Sequence, residues 1–218
     1  MEALVPLGDQ AALASFAEES SALRFAAGVR RTGFPWLVDV VQAYTSVAVF
    51  FDLGRVGFQE VADSLRRMEE NRSEEMAESR QHQIPCCYEL QLDLNRVAEQ
   101  VQLPTEEVIR LHTGTEYTVY AIGFCPGFPY LGYLPSELCA VPRLPRPRLQ
   151  VEPGSVGLTG RQTGIYTLAR PGGWNIIGRT PLELVNVADG YFPLRTGDRV
   201  CFRRIDEREF RQLVGQRL

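Results

Sequence analysis

Lysine is absent from this 218-residue sequence, and each of its 23 basic residues is an arginine. This absence excludes the chemistries that need a lysine amine, such as Schiff-base formation and the Ser-Lys dyad. It also excludes the phosphate-binding loop GxxxxGK[ST], in which a lysine reaches the nucleotide phosphates. If the protein works with ATP, we therefore expect the phosphates to be bound by another chain.

Long apolar runs are also absent, since none approaches the roughly 20 residues that cross a bilayer. The start Met1-Glu2-Ala3 lacks the basic and apolar regions of a signal peptide, so we expect a cytoplasmic protein with no membrane contact. The five cysteines are odd in number and show neither CxxC spacing nor a histidine-rich neighbourhood. This pattern predicts free thiols and no metal site.

Length and charge indicate two domains of different character. The chain exceeds the usual ~100–150 residues of one domain, and its 44% hydrophobic content is enough for buried cores. Residues 1–115 carry 18 acids and 10 arginines, whereas residues 116–218 carry 9 acids and 13 arginines. The second half is therefore expected to meet an anion or an acidic partner, unless its arginines are simply solvated. No basic cluster is dense enough to predict nucleic-acid binding.

Periodicity predicts a small α/β sandwich domain over residues 1–83. Residues 45–51 are rich in β-forming side chains with a two-residue period. They are predicted to form a strand that pairs with the segment before them. The first helix should end before Gly33-Phe34-Pro35, because a glycine with a proline two residues later stops a helix. A second helix is expected to begin at Phe58 and to run through charged residues to about Arg80.

Two further regions are predicted after this domain. Residues 84–115 combine a strand with two short helices, and we interpret them as a helical connector. From Glu116 onward, short β-type runs such as 117–122 and 200–202 are separated by glycine and proline. Turn signals every ~8–12 residues predict a closed or nearly closed β-barrel over residues 116–218. The expected fold class is α+β.

Aromatic residues are interleaved with glycine and proline in Gly123-Phe124-Cys125-Pro126-Gly127-Phe128-Pro129-Tyr130-Leu131-Gly132. Glycine allows close backbone approach and proline fixes turns, so the rings of so irregular a segment cannot all be buried. We predict an aromatic pocket wall, and the alternative is a packed loop that closes the barrel mouth. Cys125 has no Cys-His motif and is expected to fill space, not to act as a nucleophile.

Further motifs follow in a fixed order along the second half. They are Pro142-Arg143, Pro147-Arg148, Pro153-Gly154-Ser155-Val156-Gly157, Gly160-Arg161-Gln162-Thr163-Gly164-Ile165-Tyr166 and Pro171-Gly172-Gly173-Trp174-Asn175. Together with the aromatic segment and residues 106–112, they resemble the allophanate hydrolase subunit 1 family, which includes the B subunit of 5-oxoprolinase and the bacterial kinase A inhibitor. The resemblance covers most of the chain. It implies an N-terminal α/β domain followed by a cyclophilin-like β-barrel.

The resemblance also implies an activity. It implies the B subunit of an ATP-dependent 5-oxoprolinase, in which hydrolysis of 5-oxo-L-proline to L-glutamate is coupled to hydrolysis of ATP to ADP and phosphate. The site would be shared with a 5-oxoprolinase C subunit or an allophanate hydrolase subunit 2-like partner, with an A subunit as a further partner. We expect ATP to be used by the assembled complex and not bound by this chain alone. Two alternatives stay open, an inhibitor of a sensor histidine kinase and an allophanate- or urea-directed amidohydrolase subunit.

Candidate site residues follow from their chemistry and their motifs. For proton transfer or orientation of the amide we predict His112, Gln162 and Tyr166. The predicted substrate-binding residues are Phe124, Phe128, Tyr130, Arg143, Arg148, Thr163 and Arg179. Arginine clamps a carboxylate or phosphoryl group in bidentate geometry. The alternatives are a structural histidine, solvated arginines and polar groups that only stabilise turns.

One segment departs from the family pattern. Glu89-Leu90-Gln91 follows Cys87-Tyr88, where the family usually has a Gly-Gly-Glu run. Residues other than glycine resist positive φ, so we expect a different backbone path there. Any family role of that loop is therefore not carried over.

Overall fold

The protein was analysed as a computed structural model that describes residues 1–70, 79–139 and 141–218. The chain divides into two compact units, residues 1–78 and 79–218. Unit 1 contains β1 (Ala3–Pro6), β2 (Ala11–Ser15), α1 (Glu19–Thr32), β3 (Leu37–Ala43), β4 (Ser46–Phe51) and α2 (Phe58–Glu70). No helix among the described residues is long and apolar enough to span a membrane.

Unit 1 is a four-stranded antiparallel sheet in the order β1-β2-β4-β3, with α1 and α2 packed on it. In α1, Ala22, Phe25 and Val29 recur at helical spacing and are buried against the sheet. The helix ends at Gly33, whose φ of 62° forms a left-handed cap. The predicted stop at Gly33 is therefore confirmed.

The predicted extension of α2 to about Arg80 falls mostly on residues 71–78, which lie outside the described residues. Ser79 and Arg80 are described and are not helical.

Unit 2 contains the remaining elements. Its strands are β5 (Gln81–Cys87), β6 (Glu116–Ile122), β7 (Pro129–Gly132), β8 (Arg148–Val151), β9 (Ser155–Thr159), β10 (Gln162–Ile165), β11 (Arg170–Gly172), β12 (Asn175–Arg179) and β13 (Arg199–Ile205). Its helices are α3 (Leu94–Val101), α4 (Thr105–Thr113) and α5 (Glu207–Leu213), and a single 3₁₀ turn covers Ser136–Leu138.

Seven of these strands form a closed barrel in the order β6-β13-β5-β12-β9-β10-β7. The barrel closes because β7 also pairs with β6. All pairs are antiparallel except β5 and β13, which run parallel. Strands β8 and β11 form a separate two-stranded ribbon. The predicted α+β class and the C-terminal β-barrel are confirmed.

The domain boundary differs from the sequence prediction. The sequence predicts a connector over residues 84–115, but β5 is an internal barrel strand between β13 and β12. Val97 of α3 and Val108 of α4 are fully buried in the same core. The reason is that β5 pairs with β13, which lies more than 100 residues later, and no local pattern reveals that pairing.

Replacement of Gly178 by alanine should destabilise the barrel. A Cβ atom at Gly178 would lie 2.6 Å from Cys86 Sγ and 3.0 Å from the Cys87 carbonyl oxygen, so strands β12 and β5 would have to shift. We expect Gly178→Ala to lower the free energy of unfolding by about 1–3 kcal/mol in urea denaturation. Gly123→Ala is the control, because a Cβ there meets no atom within 4 Å. Equal stability of the two variants would contradict the close packing.

Candidate functional site

A cavity of about 220 Å³ opens on unit 2 and brings the aromatic segment together with two later loops. It is lined by Phe124, Phe128, Tyr130, Arg143, Pro147, Tyr166, Pro171, Gly172, Gly173 and Trp174. Five of these are predicted from sequence, namely Phe124, Phe128, Tyr130, Arg143 and Tyr166. The volume suits a ligand smaller than a drug, since the pockets that bind drug-sized ligands measure ~300–1,000 Å³.

Phe128 is the centre of the aromatic lining. Its ring meets those of Tyr130, Tyr166 and Trp174 edge-on, with centroids 5.0, 5.2 and 5.5 Å apart. Edge-to-face contacts at these distances stabilise the fold in addition to the stabilisation from the apolar area that the rings bury. The rings of the aromatic segment thus pack against Tyr166 and Trp174 and form one wall of the cavity.

A glycine is required where β11 meets Tyr166. A Cβ atom at Gly172 would lie 2.3 Å from the Tyr166 hydroxyl and 2.7 Å from its ring. The absence of a side chain lets the hydroxyl end of Tyr166 lie directly against the backbone. This contact explains the need for glycine in the Pro171-Gly172-Gly173-Trp174 motif.

Arg143 supplies the charge of the cavity. Its side chain is exposed, and none of the described residues that line the cavity is acidic. Burial raises the pKa of Tyr130 and of Tyr166. The positive charge of Arg143 lowers both pKa values, but by less than burial raises them. The two hydroxyls are therefore neutral near pH 7, and the cavity combines neutral donors with one cation, which favours an anionic ligand.

Backbone and side-chain hydrogen bonds hold the wall that carries Arg143. The buried Asn175 side chain donates to the Pro142 carbonyl at 2.9 Å. The Leu144 amide donates to the Gly173 carbonyl at 2.7 Å. The residues on both sides of Arg143 are thus tied to the segment that carries Trp174.

Arg148 is predicted from sequence to bind substrate, but it makes an ion pair within the fold. Its guanidinium donates to Asp93 Oδ1 at 2.7 Å, and Asp93 Oδ2 accepts the Ile176 amide at 2.7 Å. The carboxylate is almost fully buried, so removal of either partner would leave the other uncompensated. Through Asp93, Arg148 therefore links β8 to the start of α3 and to β12.

His112 and Thr163 lie in the barrel core and do not line the cavity. His112 is fully buried, with Tyr88 Oη 2.7 Å from Nδ1 and Thr163 Oγ1 3.0 Å from Nε2. The Thr163 hydroxyl donates to the Gly157 carbonyl, so it accepts from Nε2, and Nδ1 accepts from Tyr88. Both ring nitrogens are occupied inside the fold, which argues against the predicted proton-transfer role.

Arg179 and Gln162 also lie away from the cavity. Arg179 Nε donates to the Pro153 carbonyl at 3.0 Å, and its side chain lines a different groove together with Pro181 and Phe210. Gln162 starts β10 and pairs with Thr159 and Gly132. Neither residue contributes to the aromatic cavity.

Trp174 and Pro147 line the cavity but are not among the predicted site residues. Both belong to motifs that are visible in the sequence, since Pro147 precedes Arg148 and Trp174 follows Gly173. The aromatic residue of the Pro-Gly-Gly-Trp run was the signal that could have identified Trp174.

The loop Glu89-Leu90-Gln91 has local structural roles. Gln91 Oε1 accepts the Leu94 amide at 2.9 Å, at the start of α3. Glu89 pairs with Arg204 of β13 at 2.9 Å. Side chains at these positions therefore stabilise the helix start and the barrel.

Comparison with known proteins identifies the family. Residues 3–191 match the family model described as carboxyltransferase domain, subdomain C and D. The chain belongs to this family, and the resemblance inferred from the motifs is confirmed.

The chain is also similar to individual proteins. It is 40% identical to the 5-oxoprolinase B subunit of Bacillus subtilis over 224 residues, which cover 94% of this chain and 93% of that protein. It is 40% identical to the 5-oxoprolinase B subunit of Escherichia coli O157:H7, over 79% of this chain and 80% of that one. A crystal structure of the protein TTHA0988 is 34% identical and superposes with a TM-score of 0.80 over 91% of this chain. The match spans only 40% of TTHA0988.

The buried histidine should make stability depend on pH. Burial lowers the pKa of His112 to about 3, below the value near 6.5 expected in the unfolded chain. The contribution of the neutral His112 side chain to the stability of the folded protein is therefore complete above about pH 6.5. It is lost as the pH falls towards 3. Between about pH 6.5 and pH 3 the unfolded chain binds one proton more than the folded chain. Each decrease of one pH unit therefore lowers the free energy of unfolding by up to about 1.4 kcal/mol.

Urea denaturation between pH 7 and pH 5 measures this slope, and His112→Gln should show a shallower one. Glutamine keeps a donor for Thr163 but does not titrate. If both proteins lost stability at the same rate, His112 would titrate normally in the folded protein.

Proposed function

We propose that this chain is the B subunit of an ATP-dependent 5-oxoprolinase, and that its aromatic cavity binds 5-oxo-L-proline. The observation that carries the proposal is the small ring-lined cavity with Arg143 at its edge. The names of the Bacillus subtilis and Escherichia coli relatives support the substrate. In this assignment the guanidinium of Arg143 binds the carboxylate, and the aromatic rings contact the five-membered lactam.

The chemistry of ring opening favours a site completed by another protein chain. Hydrolysis of the lactam needs an activated amide carbonyl, an attacking water and a proton donor for the departing nitrogen. Among the described residues that line the cavity there is no histidine, aspartate or glutamate. The two tyrosines have raised pKa values and act in this proposal as neutral donors that orient the amide.

The partner in this proposal is the C subunit of 5-oxoprolinase, with an A subunit as a further member of the complex. ATP supplies the free energy of ring opening and is bound outside this chain, which has no lysine and no phosphate-binding loop. The larger size of TTHA0988, of which this chain matches 40%, is consistent with a site assembled from more than one such region.

Complementation tests the proposed activity. In a Bacillus subtilis strain that lacks its own 5-oxoprolinase B subunit, expression of this chain should restore ATP-dependent formation of glutamate from 5-oxoproline in cell extracts. The native Bacillus protein is the positive control, and extract without ATP is the negative one. No restored activity from a soluble, folded chain, alongside full activity from the native protein, would refute the proposal.

Arg143→Ala should weaken substrate binding in the reconstituted enzyme. Loss of a charge-assisted contact with the carboxylate should raise KM for 5-oxoproline by about 10- to 100-fold. The matched control is Arg146→Ala, since Arg146 is an exposed arginine of the same loop that does not line the cavity. An equal KM for both variants would remove Arg143 from the binding site.

A further inference from the structure

Phe124 occupies an unfavourable backbone conformation at the edge of the cavity. Its φ is 66°, and the Cys125 amide donates to the Gly123 carbonyl at 2.8 Å. This bond closes a γ-turn with Phe124 at its centre, and the positive-φ form of that turn is rare and strained. A bulky residue with φ above zero is a genuine outlier, because its Cβ crowds the backbone.

The side chain of Phe124 is also unfavourably placed for a residue that only stabilises the fold. It is 58% exposed, whereas its neighbour Phe128 is buried. The Phe124 ring still touches the cavity, with its centroid 5.3 Å from that of Phe128 and 6.1 Å from that of Tyr166. An exposed ring in a strained turn contributes little to the free energy of folding. Backbone strain of this kind persists mainly at functional sites.

The neighbouring turn anchors the backbone that follows Phe124. The Phe128 amide donates to the Cys125 carbonyl at 3.1 Å, and the Thr167 hydroxyl donates to the Pro126 carbonyl at 2.7 Å. Both bonds anchor the segment that follows Phe124. The backbone next to Phe124 is therefore held at the edge of the cavity, and its ring lies beside those of Phe128 and Tyr166.

We propose that Phe124 is a specificity-determining residue whose ring packs on the face of a planar cyclic amide in the cavity. This inference rests on the proposed function and names the feature of the ligand that the site selects. A lactam presents a flat face, because its amide is planar, and can lie against an aromatic ring. An open-chain amino acid with the same carboxylate presents no such face.

Arg143 and Phe124 divide the recognition between them. The guanidinium of Arg143 interacts with a carboxylate whether the ligand is cyclic or open. Phe124 contributes only where a ring covers its exposed side. Phe124 therefore adds to the discrimination between 5-oxoproline and its hydrolysis product glutamate, whereas Arg143 does not.

Ligand binding by Phe124 variants tests the inference. Equilibrium dialysis with radiolabelled 5-oxoproline and glutamate, on the full chain reconstituted with its partner proteins, measures both dissociation constants. Phe124→Ala and Phe124→Gly should each weaken 5-oxoproline binding by about 3- to 10-fold and leave glutamate binding within about twofold. Phe124→Tyr, which keeps the ring, should retain the discrimination.

A matched pair of variants tests the backbone strain independently of any ligand. Glycine normally destabilises a protein relative to alanine, but it is the residue that accepts positive φ. We expect Phe124→Gly to unfold a few degrees above Phe124→Ala, which reverses the usual order. The opposite order would show that the turn relaxes and does not hold the ring.

The outcomes separate this inference from the proposed function. An enzyme that turns over 5-oxoproline, but whose discrimination is unchanged in Phe124→Ala, would overturn the role of Phe124 and leave the function intact. An equal loss of affinity for both ligands would likewise overturn it, because it would indicate a structural role. Failure of the wild-type complex to bind 5-oxoproline at all would overturn both.

Discussion

The pairing of β7 along both of its edges is the constraint on which the site depends. Leu131 of β7 lies opposite Val119 of β6 on one side and opposite Thr163 of β10 on the other. The two pairings close the barrel. They also bring the aromatic segment that precedes β7 beside the end of β10, where Tyr166 follows the strand. Barrel closure thus brings together one side of the cavity, and the loop that carries Arg143 and Pro147 completes it.

Strand alternation then separates the core from the cavity. Thr163 points into the barrel, where it bonds to His112, whereas Tyr130 and Tyr166 contribute to the cavity. A shift of one residue in β10 would exchange these two environments, since neighbouring side chains face opposite ways. The hydrogen bond between His112 and Thr163 opposes such a shift, because it is buried and would leave an unpaired polar group if broken.

Arginines of unit 2 have different structural roles. Arg148 pairs with a buried carboxylate, and Arg179 donates to a backbone carbonyl. Arg143 is exposed at the cavity, and no carboxylate among residues 1–70, 79–139 and 141–218 forms an ion pair with it. Arg143 is thus available for an anion, whereas Arg148 and Arg179 make contacts within the fold. This division fits the proposed half-site, in which this chain binds and orients the ligand and a partner chain supplies the reacting groups.

The amino-acid sequence was enough to establish the α+β class, the barrel, the family and the aromatic segment, because hydrophobic period, glycine and proline positions and motif order are local properties. It also predicted Phe124, Phe128, Tyr130, Arg143 and Tyr166, which line one cavity in the structure. The three-dimensional arrangement was needed to show that β5 belongs to the barrel, that His112 is buried and that Arg148 is paired. The physical reason is the same in each case: the partner that fixes the role lies far away in the chain, as Asp93 does for Arg148 and β13 does for β5.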